Sequence, residues 1–358
     1  MKTDSMQQAR RKRQKDVPDP LHQPHDKLVQ NAFEDIPTLI AFLEAYLLPN
    51  VRRWLDLREK CVVHVNDSFV SRKLKASEAD LLFQVASKTG AKGRPDTVAG
   101  TKAKVGARAG AVGREPEVFV YVLIEHQYRK DRWIVLRVLR YMIDIWEAYL
   151  EKNPGVRTLP VILPVVLAQN KKAWRVSAEF GPELFGLTGE AAGDLAAFIP
   201  KFSVRFLELA LLAFDELRGT ALGTLTLRVL KAQQEGGDAV LNDYVWDESL
   251  MRKIGLGRRL DRIINYIIGA CGVDSRKVKT RIDTIESESI RKMFKSTAQQ
   301  FIEEGIEEGI EKGELIGCIY TMQELLGKKV TPRVQLKRKS IAALQTLLEK
   351  LRAEHRSL

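Results

Sequence analysis

The run Glu117-Val-Phe-Val-Tyr-Val-Leu-Ile124 is apolar on both of its alternating faces and leads straight into Glu125-His126-Gln127. A strand with no polar face is covered on both sides, the pattern of a central strand. Side chains alternate with period two, so Phe119, Tyr121, Leu123, Glu125 and Gln127 share one face, and a carboxylate and an amide leave the strand side by side. Upstream, Asp80-Leu-Leu-Phe-Gln-Val85 reads as a second strand, and Cys61–Val70 is β-prone, most strongly in its first half. Before these, residues 25–48 carry Leu28, Phe33, Leu39, Ile40, Leu43 and Leu47 near helical spacing, with Pro37 as the expected break. Downstream, Val135, Val138, Leu139, Met142, Trp146, Tyr149 and Leu150 form one stripe of a helix over about 131–151, stopped by Asn153-Pro154-Gly155. Residues 159–168 then give a fourth, fully apolar strand, in which Pro164 marks a place that lacks a ladder partner or bulges. The order helix, three strands, helix, strand predicts an α/β sheet with helices packed on it.

The rest of the chain is read more coarsely. Its 358 residues suggest roughly two domains, and 45% hydrophobic with 29% charged residues describe a globular protein. Cys61, Cys271 and Cys318 are scattered and odd in number, which excludes a disulfide framework and a thiolate zinc finger and fits a reducing compartment. The N-terminus lacks the apolar stretch of a signal peptide and no apolar run is long enough to span a bilayer, so a soluble cytoplasmic protein is expected. The expected divisions are a basic tail over 1–23, the α/β core over 24–175, a mainly helical region over 176–300, and a helical tail over 301–358. The helical region contains the apolar stretch Phe202–Phe214. The tail opens on Ile302-Glu-Glu-Gly, Ile306-Glu-Glu-Gly, Ile310-Glu-Lys-Gly, whose four-residue spacing keeps Ile and Gly near fixed faces of a helix. That repeat is either a linker or self-association segment, giving a homo-oligomer, or a glycine-weakened helix with no partner.

The formal charge is +12, from 58 Lys+Arg against 46 Asp+Glu. Residues 1–17 hold +4 of it and residues 88–114 hold +6, the latter in a Gly/Ala-rich insertion that includes Lys102, Lys104 and Arg108. Basic segments of this kind suit a polyanion such as DNA, though charge alone also describes a solubilising spacer.

The residues that bear chemistry are Asp80, Glu125 and Gln127. If the strand 80–85 pairs antiparallel with 117–124, Asp80 and Glu125 lie at one end of the hairpin. Two carboxylates brought together repel unless a positive charge separates them. A hard divalent cation such as Mg²⁺, which prefers oxygen ligands, is the natural occupant. The plain alternative is that acids at strand ends are common and bind nothing. His126 points to the opposite face, so its side chain is packed or solvated, while its carbonyl lies between the two. Arg137 and Arg140 share a face of the following helix and either reach phosphates or pair with acids such as Asp144 and Glu147. Asp26 stands near a helix start, where it either assists a metal or, more simply, stabilises the first turn by its charge.

These residues resemble the PD-(D/E)XK nuclease superfamily, and within it the Rpn group of recombination-promoting nucleases, also called YhgA-like transposases. The resemblance is carried by His25-Asp-Lys-Leu28, Phe42-Leu-Glu-Ala-Tyr-Leu47, Asp67-Ser-Phe-Val70, Ala79-Asp-Leu-Leu-Phe83, Val122-Leu-Ile-Glu-His-Gln127, Leu136-Arg-Val-Leu-Arg-Tyr-Met142 and Leu159-Pro-Val-Ile-Leu-Pro-Val-Val-Leu167. It covers about residues 24–175, and more loosely the Glu/Gly repeat with Glu324-Leu-Leu-Gly327. It implies a restriction-endonuclease-like αβββαβ mixed-sheet core with a mostly helical C-terminal region. It also implies a metal-dependent DNA endonuclease acting in recombination or mobile-element biology. Asp80 and Glu125 would be its metal-binding acids and Gln127 would stand where many relatives have Lys. No base-reading module is visible, so low sequence specificity is expected. The insertion 88–114 interrupts the hairpin that is tight in the family. The competing function is a catalytically silent DNA-binding or assembly protein on the same core.

Overall fold

The computed structural model describes residues 24–65, 80–88, 118–123, 131–169, 171–174 and 177–356, with backbone pairing alone for Asp80 and 118–123. The basic tail, most of the insertion 88–114, the motif 67–70, and Glu125, His126 and Gln127 lie outside these residues. The chain divides into a compact unit ending at Ile290 and a second unit, Arg291–Leu358.

The first unit opens with helices α1 (Pro24–Phe33) and α2 (Ile36–Tyr46). The expected break falls just before Pro37. Asp35 caps α2, its carboxylate accepting the Thr38 backbone N–H at 3.1 Å, and Pro37 sits in the first turn where it needs no N–H partner. Strands β1 (Val62–His64), β2 (Asp80–Val85) and β3 (Val118–Leu123) follow, then helix α3 (Ile134–Lys152) and strand β4 (Val161–Ala168). This is the order expected from the sequence, and the fold is mixed α/β. β1, β2 and β3 are antiparallel neighbours, whereas β4 runs parallel to β3, as a helical crossover requires.

One expectation needs correcting. Within the stretch Phe202–Phe214, read as part of a helical region, Arg205–Glu208 forms a fifth strand, β5, parallel to β4. The sheet order is therefore β1-β2-β3-β4-β5. Two-residue strands Glu179–Phe180 and Phe202–Ser203 pair beside it, so regular α-helix dominates only from residue 221 onward. The reason is non-local: the edge of β4 offers unpaired backbone groups from Val165 to Ala168, and β5 satisfies them. That ladder begins one residue after Pro164, so the proline lies where β4 has no partner on that side.

Both sheet faces are covered, as the all-apolar strands require. Leu82, Ile162, Val166 and Ala168 pack with Ile134, Val135, Val138, Met142 and Ile145 of α3, and all of these are buried. Leu81, Phe83 and Val85 point the other way and are also buried. Helices α4 (Ala221–Glu235), α5 (Glu248–Ile254), α6 (Arg258–Gly269) and α7 (Ser275–Asp283) complete this unit, with α4 and α6 against α1. Buried His25 of α1 hydrogen-bonds through Nδ1 to the hydroxyl of buried Tyr266 on α6.

The second unit is built on helix α8 (Glu288–Leu325), α9 (Arg333–Lys337) and α10 (Ile341–Arg356). Leu344, Leu348 and Leu351, spaced as one helical stripe, pack on Ile316, Ile319 and Leu336. Gly327 ends α8 at φ +60°, a left-handed turn that lets Lys328 N–H reach the Gln323 carbonyl at 2.8 Å. The Glu/Gly repeat is helical, with Ile302, Ile306 and Ile310 each more than half exposed and nothing within 4 Å of where a Cβ would stand on Gly305, Gly309, Gly313 or Gly317. Among the described residues no helix is long and apolar enough to cross a membrane.

Candidate active site

Three parallel strands, β3, β4 and β5, end at the same edge of the sheet, and antiparallel β2 begins there. In open α/β sheets the carboxyl ends of parallel strands are where ligands bind, because the chain leaves each strand in a loop at that edge. Asp80 opens β2 at this edge, its Cα paired with that of Leu123, the last residue of β3. Glu125 follows two residues later and lies outside the described residues, as do Gln127, Lys102, Lys104 and Arg108. Covalent geometry still limits the reach: two peptide units keep the Glu125 Cα within about 7 Å of that of Leu123. The register thus satisfies the condition on which the paired-carboxylate reading rested, that Asp80 and the chain entering Glu125 share one end of the hairpin.

The edge is held by contacts that local sequence did not reveal. Gln169, one residue past β4 and 5% exposed, donates from its amide to the Leu230 carbonyl at 2.9 Å and to Gln233 Oε1 at 3.0 Å. Glu208, the last residue of β5, accepts the backbone N–H of Trp174 at 2.6 Å, and the buried Trp174 ring packs 6.0 Å from that of Phe206. Lys231 is buried on α4, donates to the Leu209 carbonyl at 3.2 Å and pairs with Glu235 at 2.8 Å. Its charge is compensated there. These residues fix the ends of β4 and β5, and only the spacing of Gln169 directly after an apolar strand hinted at any of them.

The two arginines of α3 behave differently. Arg137 forms an ion pair at 2.8 Å with Asp131, an acid just before the helix and neither of the partners weighed from sequence. Arg140 is exposed, its guanidinium 5.4 Å from the ring centroid of Tyr141. Asp26 does stand in the first turn of α1.

Among the described residues no three His, Cys, Asp or Glu side chains come together as a metal-binding group. The Asp80 side chain and Glu125 lie outside them. By residue type alone, Asp80 and Glu125 offer carboxylate oxygens, the donor that a hard cation takes. A strongly shifted carboxylate sits at the far end of the sheet. There the Arg58 guanidinium hydrogen-bonds Asp56 and holds its carboxyl well below the usual range, and Asp56 N–H donates to the Ala86 carbonyl at 2.8 Å. That pair closes the β1–β2 end and has no access to the Asp80 edge.

Residues 23–94 and 112–251 match the protein family described as "Putative transposase, YhgA-like", and the gap in the match falls within the basic insertion. The chain is 25% identical over 150 residues to recombination-promoting nuclease RpnD of Escherichia coli O157:H7, covering 42% of this chain and 46% of that protein. It is 25% identical over 149 residues to recombination-promoting nuclease RpnC of Escherichia coli (strain K12), covering 41% of this chain and 39% of that one. A third relative of the same strain, named "Putative inactive recombination-promoting nuclease-like protein YjiP", is 27% identical over 122 residues, 34% of this chain and 91% of its own length. The matches to RpnD and RpnC thus span less than half of either protein. No solved structure matches the chain.

Proposed function

Since the chain belongs to the YhgA-like transposase family, we propose that it is a DNA endonuclease of low sequence specificity built on a PD-(D/E)XK core. The observation that carries this reading is the β2–β3 register, which sets Asp80 opposite the end of the strand that runs into Glu125-His126-Gln127. The nuclease names of RpnD and RpnC support the reaction class. The antiparallel β1-β2-β3 with β4 parallel beyond an α3 crossover supports the core assignment.

In this proposal Asp80 and Glu125 hold a divalent cation such as Mg²⁺. When bound, the cation supplies positive charge to the phosphoryl oxygens and acidifies water at neutral pH. Gln127 donates and accepts hydrogen bonds and so orients the attacking water, but it carries no charge and takes no proton. A Lys, which the superfamily resemblance would put at this position, would bring a positive charge that Gln127 lacks. Arg140, exposed on α3, would neutralise phosphates further along the DNA, as would Lys102, Lys104 and Arg108 of the insertion. Arg137 would contribute only by giving up its pair with Asp131. The exposed Ile/Gly face of α8 is the surface through which two copies would associate.

The test is nicking of supercoiled plasmid by the purified protein, with Mg²⁺ or with EDTA, for the wild type and Asp80→Asn. Metal-dependent nicking in the wild type and a loss of at least about a hundred-fold in the variant are expected, since a charged ligand is replaced by a neutral one. Firm DNA binding without cutting across several divalent metals would instead favour the catalytically silent reading, which the match to a relative named inactive over 91% of its length keeps in view.

A further inference from the structure

We propose that the edge beside Asp80 takes a DNA strand with unpaired bases, its phosphates on Lys171 and Lys172 and a base stacked on the indole of Trp133. This rests on the nuclease reading above and names the form of DNA that the same edge receives.

After β4 ends at Ala168 the chain turns and exposes Lys171 and Lys172. Neither lysine pairs with a carboxylate among the described residues. The segment that presents them is fixed on both sides, by the buried Gln169 amide bonded to α4 and by the buried Trp174, whose N–H is held by Glu208. The lysines therefore give up little beyond side-chain freedom on meeting a phosphate.

The crossover α3 begins at the same edge. Ile134, its first residue and fully buried, belongs to the core cluster that contains Ala168 and Trp174, and as the first residue of the crossover between parallel β3 and β4 it starts from the edge where both strands end. There Trp133 is 50% exposed and the Arg132 guanidinium lies 5.3 Å from its ring centroid. The geometry is fixed from below: Asp131 Oδ1 accepts the Trp133 N–H at 2.7 Å while its other oxygen is neutralised by Arg137 at 2.8 Å. An exposed apolar side chain alone is ordinary on a protein surface. What sets Trp133 apart is its company: a guanidinium on its ring and, at the sheet edge where β2 opens with Asp80, two lysines unpaired among the described residues. Aromatic faces hold single-stranded nucleic acid by base stacking, tolerant of sequence, while cations track the backbone. Bases within a duplex are already stacked on each other and leave no face for an indole. Trp133 therefore selects for an unpaired base, and Lys171 and Lys172 do not discriminate.

The experiment is fluorescence anisotropy with a short labelled single strand and with its blunt duplex, in EDTA so that nothing is cut. Trp133→Ala is expected to weaken single-strand binding about ten-fold, and duplex binding less than about two-fold, with Trp133→Phe restoring most of the loss. The paired variant Lys171→Ala/Lys172→Ala is expected to weaken both forms by similar factors. Unchanged single-strand affinity in Trp133→Ala, or equal losses for strand and duplex, would overturn the proposal, as would failure of the wild type to bind either form. Plasmid nicking by the same preparations separates the two readings. Nicking with unaltered affinities sinks this proposal alone, and the expected affinities without nicking sink the nuclease reading alone.

Discussion

Cys271 and Cys318 show how burial, not residue type, sets side-chain chemistry in this chain. Burial pushes the Cys271 thiol up to about 12, since partial desolvation disfavours the charged thiolate. At pH 8 Cys271 is then overwhelmingly the unreactive thiol. Cys318 is exposed on α8. Brief iodoacetamide treatment at pH 8 should therefore alkylate Cys318 and spare Cys271, with both modified after denaturation, as read by peptide mass spectrometry. Equal labelling in the native protein would show that Cys271 is solvated. The same scale explains what was legible at the candidate site. The antiparallel pairing that sets Asp80 opposite the end of β3 is readable because strand alternation is local, two residues to a repeat, and Asp80 and Glu125 bound apolar runs. Trp133, Lys171 and Lys172 are not readable, because nothing in 131–134 or 169–174 says that a helix of 19 residues will bring the two turns to one edge.

Between elements, the approach of α4 to α2 depends on Gly223. A Cβ built there would stand 3.0 Å from the Thr38 Cγ2. Thr38 has no room to give: its hydroxyl is bonded to Asp35 Oδ2 at 2.7 Å and to Thr220 Oγ1 at 2.8 Å, and the residue is 1% exposed. Thr220 in turn caps α4, accepting the Gly223 N–H at 3.2 Å. In an open helix, Gly→Ala would stabilise by about 1 kcal/mol. Here overpacking of about 1–3 kcal/mol opposes it, so Gly223→Ala should destabilise by roughly 1 kcal/mol. In a Thr38→Ser background, which keeps the hydroxyl and removes the methyl, the same change should be neutral or stabilising. Denaturant midpoints of the four proteins measure the coupling, and stabilisation by Gly223→Ala in both backgrounds would show the contact is not tight. Element pairing also explains the one misread stretch. Arg205–Glu208 is only four residues long and is followed by Leu209-Ala-Leu-Leu-Ala213, a run of good helix formers. Its strand state is imposed by β4, 40 residues away in register. The long strands β2, β3 and β4 carried their own signal in apolar length, and even the Pro164 gap was visible.

For the whole molecule the deciding quantity is charge, +12 overall, of which residues 1–17 and 88–114 supply +4 and +6. A positive field of this size would raise the encounter rate with DNA, the proposed substrate, and is screened within about 10 Å at 0.1 M salt. Steering alone, however, differs measurably from contact. Each Lys or Arg that sits on a phosphate displaces a counterion, so the slope of log affinity against log salt steepens by about 0.9 per contact on duplex DNA. If the insertion lies along the DNA, replacing its seven Lys and Arg by Ser should lower that slope by about two or more, while leaving the Lys171 and Lys172 contribution in place. If it serves only as a solubilising spacer, affinity at low salt will fall slightly and the slope will stay the same, because long-range attraction is lost without any change in the number of ions released. Binding isotherms at several salt concentrations, for the wild type and this variant on one duplex, decide between them. An unchanged slope would remove Lys102, Lys104 and Arg108 from the DNA-binding surface and leave the sheet edge beside Asp80, with Arg140 on α3, as the part of the chain that meets the substrate.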